Sequence, residues 1–590
     1  MRTPLTRARG AGVSPGPLAG GSSWRRRERS LGLSVHLPVM VGAARSILST
    51  LALLGLAPLS TFAQSVRICA IQGTGATPAM LGARVSAAGV VTADFQRSLG
   101  GFFMQDPGCD ADRNTSDGIF VRTGDRTVTA IAGNRVTVTG RVTNDFGLTA
   151  IELESLADGG PYAGSVEAVR LQPPADPAAA AAYLESHEGM LVSLAPSRVV
   201  AATNHFGEAF VMPESSGVAR LFRGDNDGRK LGLAAPAGWL MLNQGDRVSD
   251  AAGPLTYTFG QFKVEIPPGR PLTVERSGSQ PAPAAALSGT TLSVASYNLE
   301  NLFDPVDDAG KDDDVPTPEQ YAAALDRRAA SIARYVGLPD VLGVQEVEKV
   351  EVLQDLAARP ELLPASYRAV LVEGIDVRGI DVGLLYNSDR LWLRSSEARQ
   401  GCSDVRPPDG AIVSCALPGG GSGYMLFSRP PLVARLETLD RRDRLTVIVN
   451  HFKSQSSDTT ADERLRLAQA GFVRALVDEL KAAEADVPVV VLGDLNDFED
   501  SPPLQQLVSG GRLVNLLARP GGERPYSYVF QGLCQTLDYV LVDAALAPRV
   551  IELKPLHVNV DYGDAGPGAP ADATPRASDH DPVRLLLSRP

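Results

Sequence analysis

The sequence predicts a multi-domain chain in which two β-rich domains precede a large α/β or α+β domain of about 300 residues. Three observations predict it. Short runs of alternating apolar and polar residues, separated by turns, fill positions 66–158 and recur through 159–276. A Ser/Gly/Pro/Ala-rich segment at 277–290 reads as a linker. From Thr291 onward strand-like runs alternate with helical patterns. The 590 residues exceed one ordinary domain, and 44% hydrophobic with 21% charged residues excludes whole-chain disorder and a multi-span membrane protein.

Taken in order, residues 1–63 carry eight Arg and one acid, Glu28. The apolar run from Ile47 to Leu59 is 13 residues, too short to span a bilayer. Ser60-Thr-Phe-Ala-Gln64 follows as a small-residue cleavage region, so 40–63 reads as a secretory signal peptide starting at Met40. Residues 1–39 then read as a disordered or wrongly included extension. Without residues 1–63 the chain has 48 basic and 67 acidic residues, and its formal charge falls from −12 to −19. Bulk attraction cannot hold nucleic acid to such a surface, so a polyphosphate ligand needs a local basic patch or bound cations.

Export permits disulfides. Cys402 and Cys415 bracket a Pro/Gly/Asp-rich loop and are expected to pair, which is worth ~3 kcal/mol for a loop of this size. Cys69–Cys109 is the second expected pair, and Cys534 is left over. In 66–158 about five alternating strands suggest a small β-barrel, among them Arg135-Val-Thr-Val-Thr-Gly-Arg-Val142. In 159–276 a short helix is expected at 178–185, and His187 and His205 read as isolated surface residues. In the last domain Thr317-Pro-Glu-Gln320 reads as a capping box opening a helix through Tyr321, Leu325, Ile332 and Val336. A second helix is expected over about 461–485.

The informative feature of 291–590 is what ends its apolar runs. One ends in Asn298-Leu-Glu300, another in Glu346, a third in His451-Phe-Lys453 and a fourth in Asp494-Leu-Asn496. Two-residue spacing on a strand puts Asn298 with Glu300, and Asp494 with Asn496, on one face. Asp579-His580 precedes a closing strand. Carboxylate oxygens with amide support suit Mg²⁺ or Mn²⁺, and the absence of a Cys/His cluster argues against zinc. With two histidines for proton transfer, this is an inventory for phosphoester hydrolysis.

The segments Ser296-Tyr-Asn-Leu-Glu300, Gly343-Val-Gln-Glu-Val347, Asn450-His-Phe-Lys453, Gly493-Asp-Leu-Asn496, Leu537-Asp-Tyr-Val540 and Ser578-Asp-His-Asp-Pro582 resemble, in order, the DNase I-like endonuclease/exonuclease/phosphatase superfamily. The resemblance implies a four-layer α+β sandwich, two sheets face to face with helices outside, and a site at the sheet edges. By the same resemblance Glu346 is the main metal ligand, Asn298 its supporting amide and Asp579 a late metal or water ligand. Asp494 and Asn496 position water. His580, oriented by Asp538, and His451 are the catalytic histidines, with the choice of base and acid open. Asp381 is expected to orient His451, and Arg429 to hold a phosphate.

Ile68-Cys-Ala-Ile-Gln-Gly73, Gly101-Phe-Phe-Met-Gln-Asp-Pro107 and Ser116-Asp-Gly-Ile-Phe-Val121 are similar to the oligonucleotide-binding (OB)-like domain of secreted bacterial nucleases, which makes the barrel OB-like. Leu537-Asp-Tyr-Val540 disfavours the inositol-phosphate phosphatase branch. The expectation is therefore a secreted or periplasmic, monomeric, Mg²⁺-dependent endonuclease acting on DNA and possible RNA substrates, without a membrane span. A sphingomyelinase-like or small-phosphoester hydrolase and an inactive binding module are the alternatives. Asp-rich loops near Asp304–Asp314 and Asp106–Asp117 raise a structural Ca²⁺ as a further expectation, although their spacing matches no EF-hand.

Overall fold

Along Asn134–Asp145 apolar and polar residues alternate, and burial alternates with them: Val136, Val138 and Val142 point inward while Arg135, Thr137 and Arg141 face solvent. This alternation builds the first sheet of the computed structural model, which describes residues 63–590 except 237, 286–288, 456–458, 518–522, 567, 568, 571 and 590. The expected extension, and all but the last residue of the expected leader, lie outside the described residues.

In the first sheet Arg84–Phe95 pairs with Gly101–Gln105, and that strand with Gly118–Arg122. Gly118–Arg122 runs parallel to Leu148–Pro161, which pairs with Asn134–Asp145. Asn134–Asp145 returns to pair with Arg84–Phe95, so the five strands close a ring around Ile68, Val85, Phe102, Met104 and Val138. Cys69 and Cys109 are bonded beside this core, and Cys402 to Cys415 in the last domain. Cys534 is free and buried.

A nine-stranded sheet occupies the next segment, with one helix, Pro177–Glu185, whose first turn is capped by the Asp176 carboxylate accepting from the Ala179 N–H. From residue 291 two six-stranded sheets face each other. One carries, in order, Tyr367–Leu371, Asp381–Asn387, Val341–Val347, Thr291–Leu302, Val583–Ser588 and Val550–Pro555. The other carries Leu391–Ala398, Leu432–Thr438, Arg444–His451, Val489–Asp494, Asp538–Asp543 and Leu513–Asn515.

Their inner faces share one core, with Val294, Val341 and Leu384 against Val447, Val490, Leu492 and Val540. The approach is close enough to require Gly343: a Cβ there would stand 2.4 Å from Leu492 Cδ1. Outside the first sheet, Pro318–Ser331 and Val350–Ala357 bury Leu325, Ala329, Val352 and Leu353. Thr459–Ala483 and Pro502–Val508 cover the second with Leu465, Val473, Leu476 and Leu504. The Thr317 capping box forms as the sequence predicts.

The described residues lie within a single compact unit, and the segments expected as separate domains share side chains across their boundaries. The hairpin of Tyr528–Phe530 and Leu533–Gln535 packs Val529 and Leu533 onto Val200, Phe210 and Met212 of the nine-stranded sheet. Its turn needs Gly532, at φ +83°, where a Cβ would meet Phe210 Cγ at 2.7 Å. Arg220 makes a two-pronged ion pair with Asp561, at 2.7 and 2.9 Å. Ala284, within the expected linker, donates its N–H to the Arg334 carbonyl. No helix among the described residues is long and apolar enough to cross a membrane.

Candidate functional site

The strand ends singled out by the sequence come from both facing sheets. Asn298, Glu346 and the segment before Val583–Ser588 belong to one, and His451, Asp494 and Asp538 to the other. Backbone geometry turns them together where simple alternation would not. Glu346 is the extra residue of a bulge between Gln345 and Val347 and has φ +61°. Asn496 lies beyond the end of its strand at φ +50°, where its N–H donates to Asp494 Oδ1 at 2.9 Å. Glu300 does not follow Asn298 on one strand face. The register slips after Asn298, and Glu300 and Asn301 both take positive φ. Such conformations are disfavoured for non-glycine residues and concentrate at functional sites.

At the centre His580 Nδ1 is bonded to Asp538 Oδ2 at 2.7 Å, and Nε2 faces Asp494 Oδ2 at 3.9 Å. Ser527 Oγ donates to Asp538 Oδ2 at 2.7 Å and fixes its orientation. The Tyr528 ring lies over the imidazole, with centroids 4.6 Å apart. Opposite, His451 Nε2 lies 3.6 Å from Asp494 Oδ2 and 3.8 Å from Glu346 Oε1. Asn298 Nδ2 donates to Asp494 Oδ2 at 3.2 Å, while its Oδ1 accepts the Glu300 N–H. Glu346 Oε2 accepts from the Asn301 N–H at 2.9 Å. Asp579 is half-buried and faces a cleft that adjoins this cluster.

Burial acts on His580, His451 and Asp494, and their neighbours decide its outcome. For His580 burial opposes the charged form, but Asp538, Asp579 and Asp494 outweigh it and raise its pKa well above the ordinary value. For His451 burial leads and Arg429, Arg378 and His580 add to it, so its pKa falls well below. Burial pushes Asp494 up to about 7, against the pull of His580 and with Asp538 adding to the rise. Crowded carboxylates of this kind are a demand for positive charge.

One expectation needs correction. Asp381 does not orient His451. Its Oδ1 accepts the Gly374 N–H at 2.8 Å, and His451 Nδ1 has no partner among the described residues. Asp381 sits at the start of its strand, opposite Val347 beyond the bulge, so the same slip that presents Glu346 separates Asp381 from the imidazole. In the acidic loops Lys349 pairs with Asp304 at 3.0 Å and Asp308 at 3.1 Å, and Asp110, Asp112, Asn114 and Thr115 bond to one another in an exposed turn.

Arg429 is buried and donates Nη2 to the Phe452 carbonyl at 3.1 Å; its Nε lies 3.7 Å from Asp376 Oδ2, and neither Nε nor Nη1 makes a hydrogen bond. Asn496 Nδ2 donates to the same carbonyl at 3.2 Å. Asp581, although inside the Ser578–Pro582 motif, serves as scaffold, accepting from the backbone N–H groups of Val558 and Asn559 and pairing with His557. Ser527, Tyr528, Arg576 and His205 carried no sequence signal; Tyr528 and His205 come to the site by packing between segments far apart in the chain, and Arg576 stands three residues before Asp579.

The family comparison finds two matches, one of them on the segment that carries these residues. Residues 295–580 match the Endonuclease/Exonuclease/phosphatase family, and residues 154–268 match a domain of unknown function (DUF8508). No curated protein matches. Among solved structures, an endonuclease/exonuclease/phosphatase family protein from Bacteroides thetaiotaomicron shows 18% identity and a TM-score of 0.34, over 51% of this chain and 96% of that one. The human Nocturnin catalytic domain with bound sulfate shows 16% and 0.35, over 53% and 100%. D. rerio TDP2 complexed with single strand DNA product shows 17% and 0.33, over 51% and 99%. The motif residues gathered at the edges of the two facing sheets lie within the matched segment, and over residues 295–580 the chain is similar to the Endonuclease/Exonuclease/phosphatase family.

Proposed function

We propose that this chain is a secreted, monomeric, Mg²⁺-dependent phosphodiesterase that hydrolyses DNA, and RNA as well, by internal cleavage. The observation that carries the reading is the pair of histidines on opposite sheets, both facing Asp494, beside a buried Arg429 whose Nε and Nη1 make no hydrogen bond. Asp376 lies 3.7 Å from Nε, beyond hydrogen-bond length, so those N–H donors stay open to an anion, and a phosphodiester oxygen is such a group.

The donor set fits a hard divalent cation. Oxygens of Asp494 and Asp538 and a nitrogen of His580 lie within 4.8 Å of one another, and burial pushes Asp494 up, with Asp538 and Glu346 adding to the rise. Because Asp538 and His580 Nδ1 are committed to each other, Glu346, Asp494 and Asp579, supported by the Asn298 amide, would hold Mg²⁺ or Mn²⁺. When bound, the cation supplies Lewis acidity at the phosphate. The chain's own groups do the rest. His451 and His580 handle the protons of the attacking water and the leaving oxygen, Asp494 and Asn496 orient that water, and Arg429 holds the phosphate.

Two disulfides among the described residues and the short apolar leader support export. The closed five-strand ring supports the reading of 66–158 as an OB-like barrel. The test is incubation of the chain from Gln64 onward with supercoiled plasmid in Mg²⁺, in Mg²⁺ plus Ca²⁺, and in chelator. Nicking that needs metal and is absent from His580→Ala is the expected result. Failure to cut plasmid, linear DNA or RNA, with release of a phospholipid headgroup instead, overturns the substrate while leaving the site.

A further inference from the structure

Beside the catalytic cluster lies a cleft of about 570 Å³ walled by all three β-rich regions. Phe103 and Phe120 of the ring, Phe206 and Phe259 of the nine-stranded sheet, and Tyr528 and Phe530 of the last domain line it. It opens onto the catalytic site through Tyr528, whose ring covers His580, and Asp579, the neighbour of His580 in sequence.

Two features are expensive for the fold and unexplained by it. Phe206 and Phe259 are 71% and 86% exposed, and Phe259 sits at a hairpin tip with φ +50°, a conformation disfavoured for a bulky side chain. The tip is held by the last domain, where Gln531 Nε2 donates to the Phe259 carbonyl at 2.7 Å. The second feature is Arg576. It lines the cleft at only 8% exposure, and its Nε has no partner among the described residues.

We infer that this cleft binds the unpaired nucleoside next to the scissile phosphate, its base stacking on Phe206 and Phe259 and its flanking phosphate meeting Arg576. The segment 154–268 thereby becomes a wall of the substrate site. Exposed aromatic rings lining a cleft suit base stacking, which tolerates every base. A buried arginine whose Nε makes no hydrogen bond suits a phosphate and not a hydrocarbon chain, which would leave that N–H unpaired. The Lys263–Glu208 pair and Thr256, Thr258 and Asn204 add polar edges that a base can meet and an acyl chain cannot. Walls on three sides admit one strand and exclude a duplex, so the chain prefers single-stranded nucleic acid.

The inference rests on the nucleic-acid reading above, and the experiment separates the two. Affinity is measured by fluorescence anisotropy of a labelled single-stranded DNA and of its duplex, in chelator, for the wild-type chain and for Phe206→Ala/Phe259→Ala. Both rings are exposed, so the double variant keeps its fold. Single-strand affinity is expected to exceed duplex affinity and to fall about tenfold or more in the double variant. For Arg576→Gln the slope of log affinity against log salt is expected to flatten by about 0.7. Equal affinity of the double variant and wild type, equal affinity for the two DNA forms, or an unchanged salt slope overturns the cleft while wild-type cleavage in Mg²⁺ upholds the nuclease. A wild-type chain that neither binds nor cleaves nucleic acid and acts on phospholipid vesicles overturns both.

Discussion

The two histidines of the site share a depth of burial and differ in everything else. His580 is tied through Nδ1 to Asp538, which is itself tied to Ser527, and Tyr528 covers its ring. His451 has no partner at Nδ1 and faces the carboxylates only through Nε2, beyond hydrogen-bond length. Burial works against charge in both, yet the carboxylates around His580 raise its pKa and Arg429 beside His451 helps to lower the other. The lesson is that burial sets the stakes and the nearest partner sets the outcome.

The sharpest test removes the tie. Asp538→Asn leaves a side chain of the same shape that no longer fixes the imidazolium and its tautomer, and kcat is expected to fall ~10²–10⁴-fold with KM little changed. Steady-state kinetics on a phosphodiester checks this, and a loss below about tenfold would break the contrast between the histidines.

The second test takes burial without a cationic partner to a place far from the chemistry. Glu188 is wholly buried where the first two sheets meet, its Oε1 accepting the Thr149 N–H, and burial pushes its carboxyl up to about 8, with Glu185 adding to the rise. Its folded pKa is raised, so the native state keeps a proton that the unfolded chain has lost. Stability therefore falls as pH rises from about 4.5 to about 8. Glu188→Gln removes that dependence and is expected to stabilise by about 1–3 kcal/mol at pH 8 and not at pH 4. Thermal melts at the two pH values decide it; a gain of equal size at both would show that protonation is not the cause.

Smaller effects grade the contrast. Tyr528→Ala should lower kcat about threefold to tenfold, from loss of a ring contact worth ~0.5–1.5 kcal/mol, and Tyr528→Phe should restore it. Failure of the phenylalanine to rescue would point to the hydroxyl instead of the ring. Asp381→Asn should alter kcat less than about threefold, because its hydrogen bond goes to Gly374 and not to His451. A loss as large as that of Asp538→Asn would restore the pairing that the structure denies.

By itself the sequence determined the sheets and the identity of the site's core residues. Runs such as Val489–Asp494 alternate or stay apolar until a polar residue ends them, and that is a local property of the chain. Strand-end placement brought Asn298, Glu346, His451 and Asp494 into view, and Asp538 and His580 followed from their motifs. The manner of convergence was not legible. Glu346 and Asn496 reach the site through a bulge and a positive-φ turn, which depend on which strand pairs with which. Only the tertiary structure decided the rest: that Asp381 serves a loop, that Asp581 is scaffold, and that Tyr528 meets His580. It also brought Phe206, Phe259 and Arg576 to one cleft. Those relations join segments up to several hundred residues apart, and no local pattern of apolar and polar residues encodes a contact at that range.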